Sequence, residues 1–277
     1  MPNVFWYVGL AVVSVCLIGY TLWKTRDGRL LALHFCLAGL IDPLEYFVLI
    51  LFSSYQYFPT AISDVWIDNI IGAFASNDLI IPAVAVAAAA FRLRLAWLLV
   101  LSVLFMGVEW LFLHLDLFGL FWWKTVYTGI GIFLFFLIGQ YLWRTIQRGH
   151  ASKPFLFFYT FFVYLFVYGT SHVIQGHFLD IHDLKVGWFP DPIRDQLAFG
   201  ELIEVFASLI TAAAFFMAPV AKLAMLACLV GFDVLLLLLD VITVDRRGEF
   251  AFFVLLQLVS FYAVHGIVKY GTRSNAS

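Results

Sequence analysis

The chain has 277 residues, of which 64% are hydrophobic and 12% are charged, and its formal net charge is -2. A soluble domain carries about 25% charged residues, so this composition, with a mean hydropathy of +0.97, excludes a soluble protein and predicts an all-α polytopic membrane protein. No run of Lys or Arg is present, which excludes nucleic acid as a partner.

Nine segments are long enough to cross a bilayer, whose hydrocarbon core takes about 20 apolar residues. In chain order they cover residues 4–23, 30–52, 69–91, 95–116, 121–143, 155–178, 197–217, 220–241 and 250–268. The first has no basic segment before it and no small-residue cleavage site after it. We therefore interpret it as an uncleaved transmembrane anchor, not a signal peptide.

The cysteines indicate neither a disulfide framework nor a zinc site, because Cys16, Cys36 and Cys228 stand singly in apolar stretches. No His-x-x-x-His or Glu-x-x-His pair is present either. A His/Asp/Glu cluster is a less favoured alternative that would bind a metal. We expect no metal and no other cofactor.

Basic residues predict the orientation, because they collect on the cytoplasmic side of membrane proteins. Eleven of the 16 fall on one side of the predicted spans: Lys24, Arg26, Arg29, Arg92, Arg94, Arg144, Arg148, Lys153, Lys222, Lys269 and Arg273. The others are Lys124, Lys185, Arg194, Arg246 and Arg247. The N-terminus is therefore predicted outside or in a lumen and the C-terminus in the cytoplasm, in the endoplasmic reticulum membrane if the protein is eukaryotic.

Ionisable residues recur inside the apolar spans, where each costs at least about 2.5 to 3.5 kcal/mol. Asp42 follows Arg29 by 13 residues and Glu109 follows Leu95 by 14, which places both about 20 Å from the cytoplasmic helix ends. The same half of the membrane holds Glu45, Asp78, His172, Gln175, Glu201, Glu204 and Asp233. This clustering at one depth predicts a polar chamber.

An internal repeat organises the spans. Three residues reappear 124 positions further along: Gly107, Glu109 and Asp116 as Gly231, Asp233 and Asp240. Two shorter segments also match, Gly39-Leu-Ile-Asp42 with Gly169-Thr-Ser-His172 and Asn77-Asp78-Leu-Ile with Gly200-Glu201-Leu-Ile. We predict a transmembrane anchor over residues 1–28 and two parallel four-helix membrane repeats over 29–148 and 149–277.

At these residues the second half resembles the emopamil-binding family of sterol isomerases. The similar segments are Gly169-Thr-Ser-His172-Val-Ile-Gln175-Gly, Asp195-Gln-Leu-Ala-Phe-Gly-Glu201, Phe232-Asp233-Val-Leu and the last helix with Gln257. The same EXPERA-type four-helix domain occurs in sigma-2-receptor-like and TM6-superfamily proteins. Two copies in one chain resemble the TM6-superfamily arrangement.

The resemblance implies an isomerase or cyclase that acts on a sterol or terpenoid, a lipophilic small molecule, within membrane lipids. Such chemistry protonates an alkene, shelters a carbocation and removes another proton. The predicted catalytic residues are His172, Glu201, Glu204 and Asp233, with Glu201 as the acid and His172 as the base or as the group that orients the proton on Glu201. The predicted substrate-binding residues are Gln175, Gln257, Asp42, Glu45, Asp78 and Glu109.

Other interpretations stay open from the residues alone. Acids such as Asp42 and Glu45, three apart on one helix face, also serve as contacts between membrane helices. A non-catalytic protein that binds sterols or other lipids would show the same pattern. A cation or proton transporter is less favoured, because the acids cluster in one half of the membrane and do not cross it.

Overall fold

The computed structural model describes residues 2–244 and 247–273, with Arg247 described by its backbone alone. Within these residues, nine helices are long and apolar enough to cross a membrane. They are α1 Val4–Thr25, α2 Arg29–Leu51, α3 Val65–Ala90, α4 Leu95–His114, α5 Thr125–Gln147, α6 Lys153–Phe178, α7 Pro192–Ala214, α8 Pro219–Leu238 and α9 Arg247–Gly271. The prediction of an all-α multi-pass membrane protein is confirmed.

Two helices begin four and five residues before their predicted starts, each at a side-chain cap. Asp64 accepts hydrogen bonds from the backbone N–H groups of Trp66 and Ile67 at the start of α3. Asp191 accepts one from Arg194 N–H, two residues after α7 begins at Pro192. These caps satisfy N–H groups that the helix leaves free, and they lie outside the apolar run from which the spans were predicted.

Three of the helices contain π-helical turns. These turns cover Tyr46–Leu51 at the end of α2, Phe74–Ile80 inside α3 and Ile174–Phe178 at the end of α6. A π-helical turn accommodates an extra residue and is frequent at functional sites. Here Glu45 immediately precedes one of these turns and Asn77 lies within another.

Four short strands, which the sequence did not predict, join the loops between helices. β1 (Tyr55–Tyr57) pairs antiparallel with β2 (Phe118–Leu120), and β3 (Asp183–Leu184) pairs antiparallel with β4 (Ile242–Thr243). Two or three residues are too few to show the alternating pattern that identifies a strand. Tertiary pairing alone defines them.

The helices form two compact units. Among the described residues, unit 1 holds 2–151 and 271–273, and unit 2 holds 152–244 and 247–270. In unit 1, α3 contacts α1, α2 and α5, and α4 packs against α5. In unit 2, α6 packs against α7 and α7 against α8.

The segments from α4 to β2 and from α8 to β4 have the same local geometry, at positions 124 residues apart. Helices α4 and α8 each contain 20 residues. Each is followed by an aspartate with a positive φ, 52° at Asp116 and 54° at Asp240. A short strand comes next in both units, β2 in unit 1 and β4 in unit 2.

The starts of α3 and α7 also share their local geometry, at positions 127 residues apart. Asp64 and Asp191 cap α3 and α7. One turn later, Asp68 accepts hydrogen bonds from the backbone N–H groups of residues 60–62, and Asp195 accepts them from residues 186–189. Each carboxylate therefore ties the preceding loop to the start of its helix.

Candidate functional site

Unit 1 contains a cavity of about 190 Å³ that is lined by residues of α1, α2, α3, α4, α5 and the β1–β2 pair. Most of its wall is apolar or aromatic, and it includes Ile41, Ile80, Phe105, Phe112, Phe118 and Phe135. Ligand sites in proteins commonly combine such a wall with a few polar groups. Two carboxylic side chains, Glu45 and Glu109, supply polar groups in this wall.

Glu45 stands among hydrogen-bond donors. Its Oε1 atom accepts a hydrogen bond from the Tyr55 hydroxyl, and the Asn77 amide lies beside it. The Tyr57 hydroxyl donates to Asn77 Oδ1 over 3.4 Å, so the amide NH2 is directed away from Tyr57. Neither Glu45 Oε2 nor Asn77 Nδ2 completes a hydrogen bond with any residue that the structure describes.

Glu109 is held by a short chain of hydrogen bonds. Trp123 Nε1 donates to Thr128 Oγ1 over 2.8 Å, and Thr128 Oγ1 donates to Glu109 Oε2 over 2.5 Å. Because an indole N–H is a donor only, the hydroxyl proton of Thr128 is directed to the glutamate. Within the described part of the chain, Glu109 Oε1 has no hydrogen-bond partner.

Unit 2 holds the predicted histidine and a glutamate in direct contact. His172 Nδ1 lies 2.6 Å from Glu204 Oε1, and both residues are buried. Two glycines make this approach possible. A Cβ atom on Gly169 would lie 2.6 Å from Glu204 Oε2, and one on Gly200 would lie 3.2 Å from His172 Cε1.

Two aromatic rings stack on His172. Tyr168 and His182 lie with ring centroids 5.8 Å and 4.7 Å away, each tilted by 3°. Burial, followed by the neighbouring His172 and His177, lowers the pKa of His182 to about 2, so its ring is neutral at neutral pH. His182 was missed as a site residue because it lies in the loop between two spans.

Asp233 and Gln257 complete the polar cluster of unit 2. Asp233 is fully buried on α8, with the Gln257 amide nearby. Gln257 Nε2 donates to the Tyr168 hydroxyl over 3.3 Å. Among the residues described, no hydrogen-bond partner is present for either carboxylate oxygen of Asp233, for His172 Nε2 or for Gln257 Oε1.

The predicted residues therefore fall into two places. Glu45 and Glu109 meet at the cavity of unit 1, whereas Asp42 and Asp78, on the same helices as Glu45 and Asn77, are not among its lining residues. In unit 2 the residue in contact with His172 Nδ1 is Glu204 and not Glu201, the predicted acid.

Gln175, a predicted substrate-binding residue, is buried and donates hydrogen bonds to Ser171 O and Oγ. The sequence analysis also missed Tyr55, Trp123 and Thr128, which hold the two glutamates of unit 1, because no spacing along a single helix relates them to Glu45 or Glu109. Among the described residues, no group of three or more His, Cys, Asp or Glu side chains could hold a metal ion.

Comparison of the chain with models of protein families, with curated proteins and with solved structures finds no match. The function therefore has to be inferred from the side chains of the two units.

Proposed function

We propose that the protein is a membrane-embedded isomerase or cyclase that acts on a sterol or terpenoid lipid through acid-base carbocation chemistry. The observation that carries this proposal is the cavity of unit 1, in which Glu45 and Glu109 share an apolar, aromatic wall. Each carboxyl group accepts one hydroxyl hydrogen bond, and we assign Glu109 the role of acid and Glu45 the role of base.

Glu109 is suited to deliver a proton. Its Oε2 atom is fixed by Thr128, and its Oε1 atom is available to carry a proton toward the cavity. Transfer of that proton to one carbon of a double bond leaves the other carbon cationic. The faces of aromatic rings in the wall, such as Phe105 and Phe112, stabilise that cation while the apolar wall excludes water.

Glu45 is suited to take a proton back. The Tyr55 hydroxyl holds Glu45 Oε1 in place, and Glu45 Oε2, which has no hydrogen-bond partner among the described residues, is the atom that receives the proton. Removal of a proton from a carbon next to the cation forms a new double bond. The substrate and product then have the same composition, and one proton has moved from Glu109 to Glu45.

We also propose that the chain consists of α1 and two four-helix copies, α2–α5 and α6–α9. The matching caps, loops, helix lengths and strand pairs support this organisation. The matches at 127 and 124 residues pair Glu45 with His172, Asn77 with Glu204, and Glu109 with Asp233. This pairing differs from the predicted one, in which Asp42 matched His172, because the ends of α2 and α6 fix the register.

Under this alignment the buried cluster of unit 2 is the counterpart of the cavity in unit 1. Of its members, His172, Asp233 and Gln257 also lie in the segments that resemble the sterol-isomerase family, in which the predicted acid is Glu201. We keep unit 2 as a second candidate for the reaction site, with His172 and Glu204 as its acid-base pair. The cavity gives unit 1 preference, because a substrate needs room beside the acid.

A comparison of membrane lipids tests the proposed activity. Host membranes that contain the wild-type protein should accumulate an isomer of a host sterol or terpenoid, with unchanged mass and a new chromatographic position. The double variant Glu45→Gln/Glu109→Gln, expressed to the same level, is the control and should not form that isomer. An unchanged lipid profile, measured in hosts with and without sterols, would contradict the enzyme proposal.

The second candidate is a non-catalytic protein that binds sterols or other lipids. One observation favours it. His172 Nδ1 and Glu204 Oε1 form a hydrogen bond with each other, and a substrate would need these atoms for acid-base chemistry. Lipid that copurifies with the wild-type protein and is never converted would identify this function. A cation or proton transporter ranks lower, since the cavity wall is largely apolar.

We propose, finally, that the C-terminus is cytoplasmic and that the membrane is that of the endoplasmic reticulum if the protein is eukaryotic. The support is the asymmetry of the basic residues across the spans. Reporter fusions at Ser277 and within residues 180–195 should give opposite signals, because three spans separate the loop from the C-terminus. The same signal from both fusions would overturn this topology.

A further inference from the structure

The cavity of unit 1 reaches the molecular surface on one side. Three of its lining residues are exposed: Leu44 by 54%, Tyr127 by 41%, and Gly131. Leu44 lies on α2, and the other two lie in the first two turns of α5. The wall is therefore incomplete between α2 and α5.

Gly131 forms part of this gap. A Cβ atom placed there would have no atom within 4 Å in the described structure. Further along α5 the helices are in contact, because a Cβ atom on Gly139 would lie 3.5 Å from Leu37 Cδ1 on α2. Eight residues of helix, about 12 Å, separate this closed contact from the opening at Gly131. Both helices are membrane spans, so the opening faces lipid.

The polar end of the cavity offers both kinds of hydrogen bond. Asn77 Nδ2 is a donor, and Asn77 is more than nine-tenths buried. Glu45 Oε2 is an acceptor when ionised, and neither atom has a partner in the described chain. A hydroxyl group both donates and accepts, whereas a ketone only accepts and an ammonium group only donates.

We infer that the cavity of unit 1 is entered sideways from the bilayer, between α2 and α5 at Gly131, by an apolar lipid whose hydroxyl group binds at Glu45 and Asn77. The inference rests on the proposed function in that it uses the same cavity, but it requires binding and not conversion. The hydrocarbon body of the lipid would contact the apolar wall around Phe105 and Phe135.

Photolabelling of the full chain in lipid nanodiscs tests both parts of this inference. The probes are a diazirine-bearing cholesterol and a diazirine-bearing farnesol, each compared with its methyl ether, which cannot donate a hydrogen bond. At least one alcohol should label peptides that contain Phe105 or Tyr55 about tenfold more than its ether, since a hydrogen bond to a charged group contributes about 1.5 to 3 kcal/mol.

Glycine variants test the entrance. Gly131→Leu should reduce labelling by the alcohol to the level of the ether, because the added side chain occupies the gap. Gly131→Ala, which leaves most of the gap open, should retain labelling. The matched control is Gly107→Leu on α4, where a Cβ atom also meets no atom within 4 Å of the described chain but the residue does not line the cavity. It should label like the wild type.

The outcomes separate this inference from the proposed activity. Equal labelling of Gly131→Leu and Gly107→Leu would overturn the entrance, and equal labelling by alcohol and ether would overturn the hydroxyl site. Failure of both alcohols to label the cavity peptides would overturn the inference as a whole. Labelling without any converted lipid supports the inference and defeats the enzyme proposal, whereas undiminished conversion by Gly131→Leu defeats the entrance and leaves the activity standing.

Discussion

Replacement of Glu109 by glutamine is expected to lower the rate of lipid conversion by about 100- to 10,000-fold, the usual contribution of a general acid. Glutamine keeps the volume of the side chain and can still accept the hydrogen bond from Thr128, but it cannot deliver a proton. The rate should be measured on the lipid product identified in host membranes, with the purified full-length variant. Photolabelling by the alcohol probes should persist, because the cavity keeps its shape.

Variants in unit 2 decide which unit carries out the reaction. Glu204→Gln and Glu201→Gln change the two glutamates of α7 in the same way as Glu109→Gln changes α4. If the cavity of unit 1 is the reaction site, both should retain most of the activity. Abolished turnover in Glu204→Gln or Glu201→Gln, with full turnover in Glu109→Gln, would move the reaction to unit 2 and remove Glu109 from the mechanism.

Replacement of Asp195 by alanine is expected to release the loop that precedes α7. The Asp195 carboxylate accepts backbone hydrogen bonds from Val186, Gly187, Trp188 and Phe189, over 2.6 to 3.1 Å. Hydrogen bonds to a charged group contribute about 1.5 to 3 kcal/mol each, and water regains part of this at a loop. A net loss of roughly 3 kcal/mol therefore raises the open population of the loop about 100-fold.

Limited trypsin digestion in detergent micelles measures that opening, because cleavage of a transiently open segment follows its population. The cleavage site is Lys185, which directly precedes the four N–H donors. Asp191→Ala is the matched control, since Asp191 caps the same helix by accepting a hydrogen bond from Arg194 N–H and the loss of such a cap costs about 1 kcal/mol. Cleavage of Asp195→Ala at the wild-type rate would show that the carboxylate does not hold the loop.

The spans were predictable because hydropathy is a local property that the bilayer imposes on every turn of a crossing helix. α4 illustrates this, since it was predicted over residues 95–116 and is observed over Leu95–His114. The starts of α3 and α7 were less predictable. They depend on Asp64 and Asp191, polar residues that a hydropathy window places in a loop.

The site residues could be predicted only as far as the spacing of residues along a single helix allows. The spacing of acids along a helix identified Glu45 and Glu109 as inward-facing groups, because burial of a charge is costly wherever it occurs. It could not identify their partners. Tyr55 and Trp123 lie in other segments of the chain, and only the pairing of β1 with β2 and the packing of α4 on α5 bring them to the glutamates.

By itself the sequence determined the class of protein, the number of spans and the presence of acids inside them, since these follow from the energy of transfer between water and hydrocarbon. Only the tertiary structure decided that Glu204 contacts His172, that Glu45 and Glu109 share a cavity, and that Gly131 leaves that cavity open. The π-helical turns change the facing of side chains along α2, α3 and α6, and a periodicity of 3.6 residues does not predict that change. Contacts between distant segments depend on these changes in side-chain direction, which local sequence patterns do not predict.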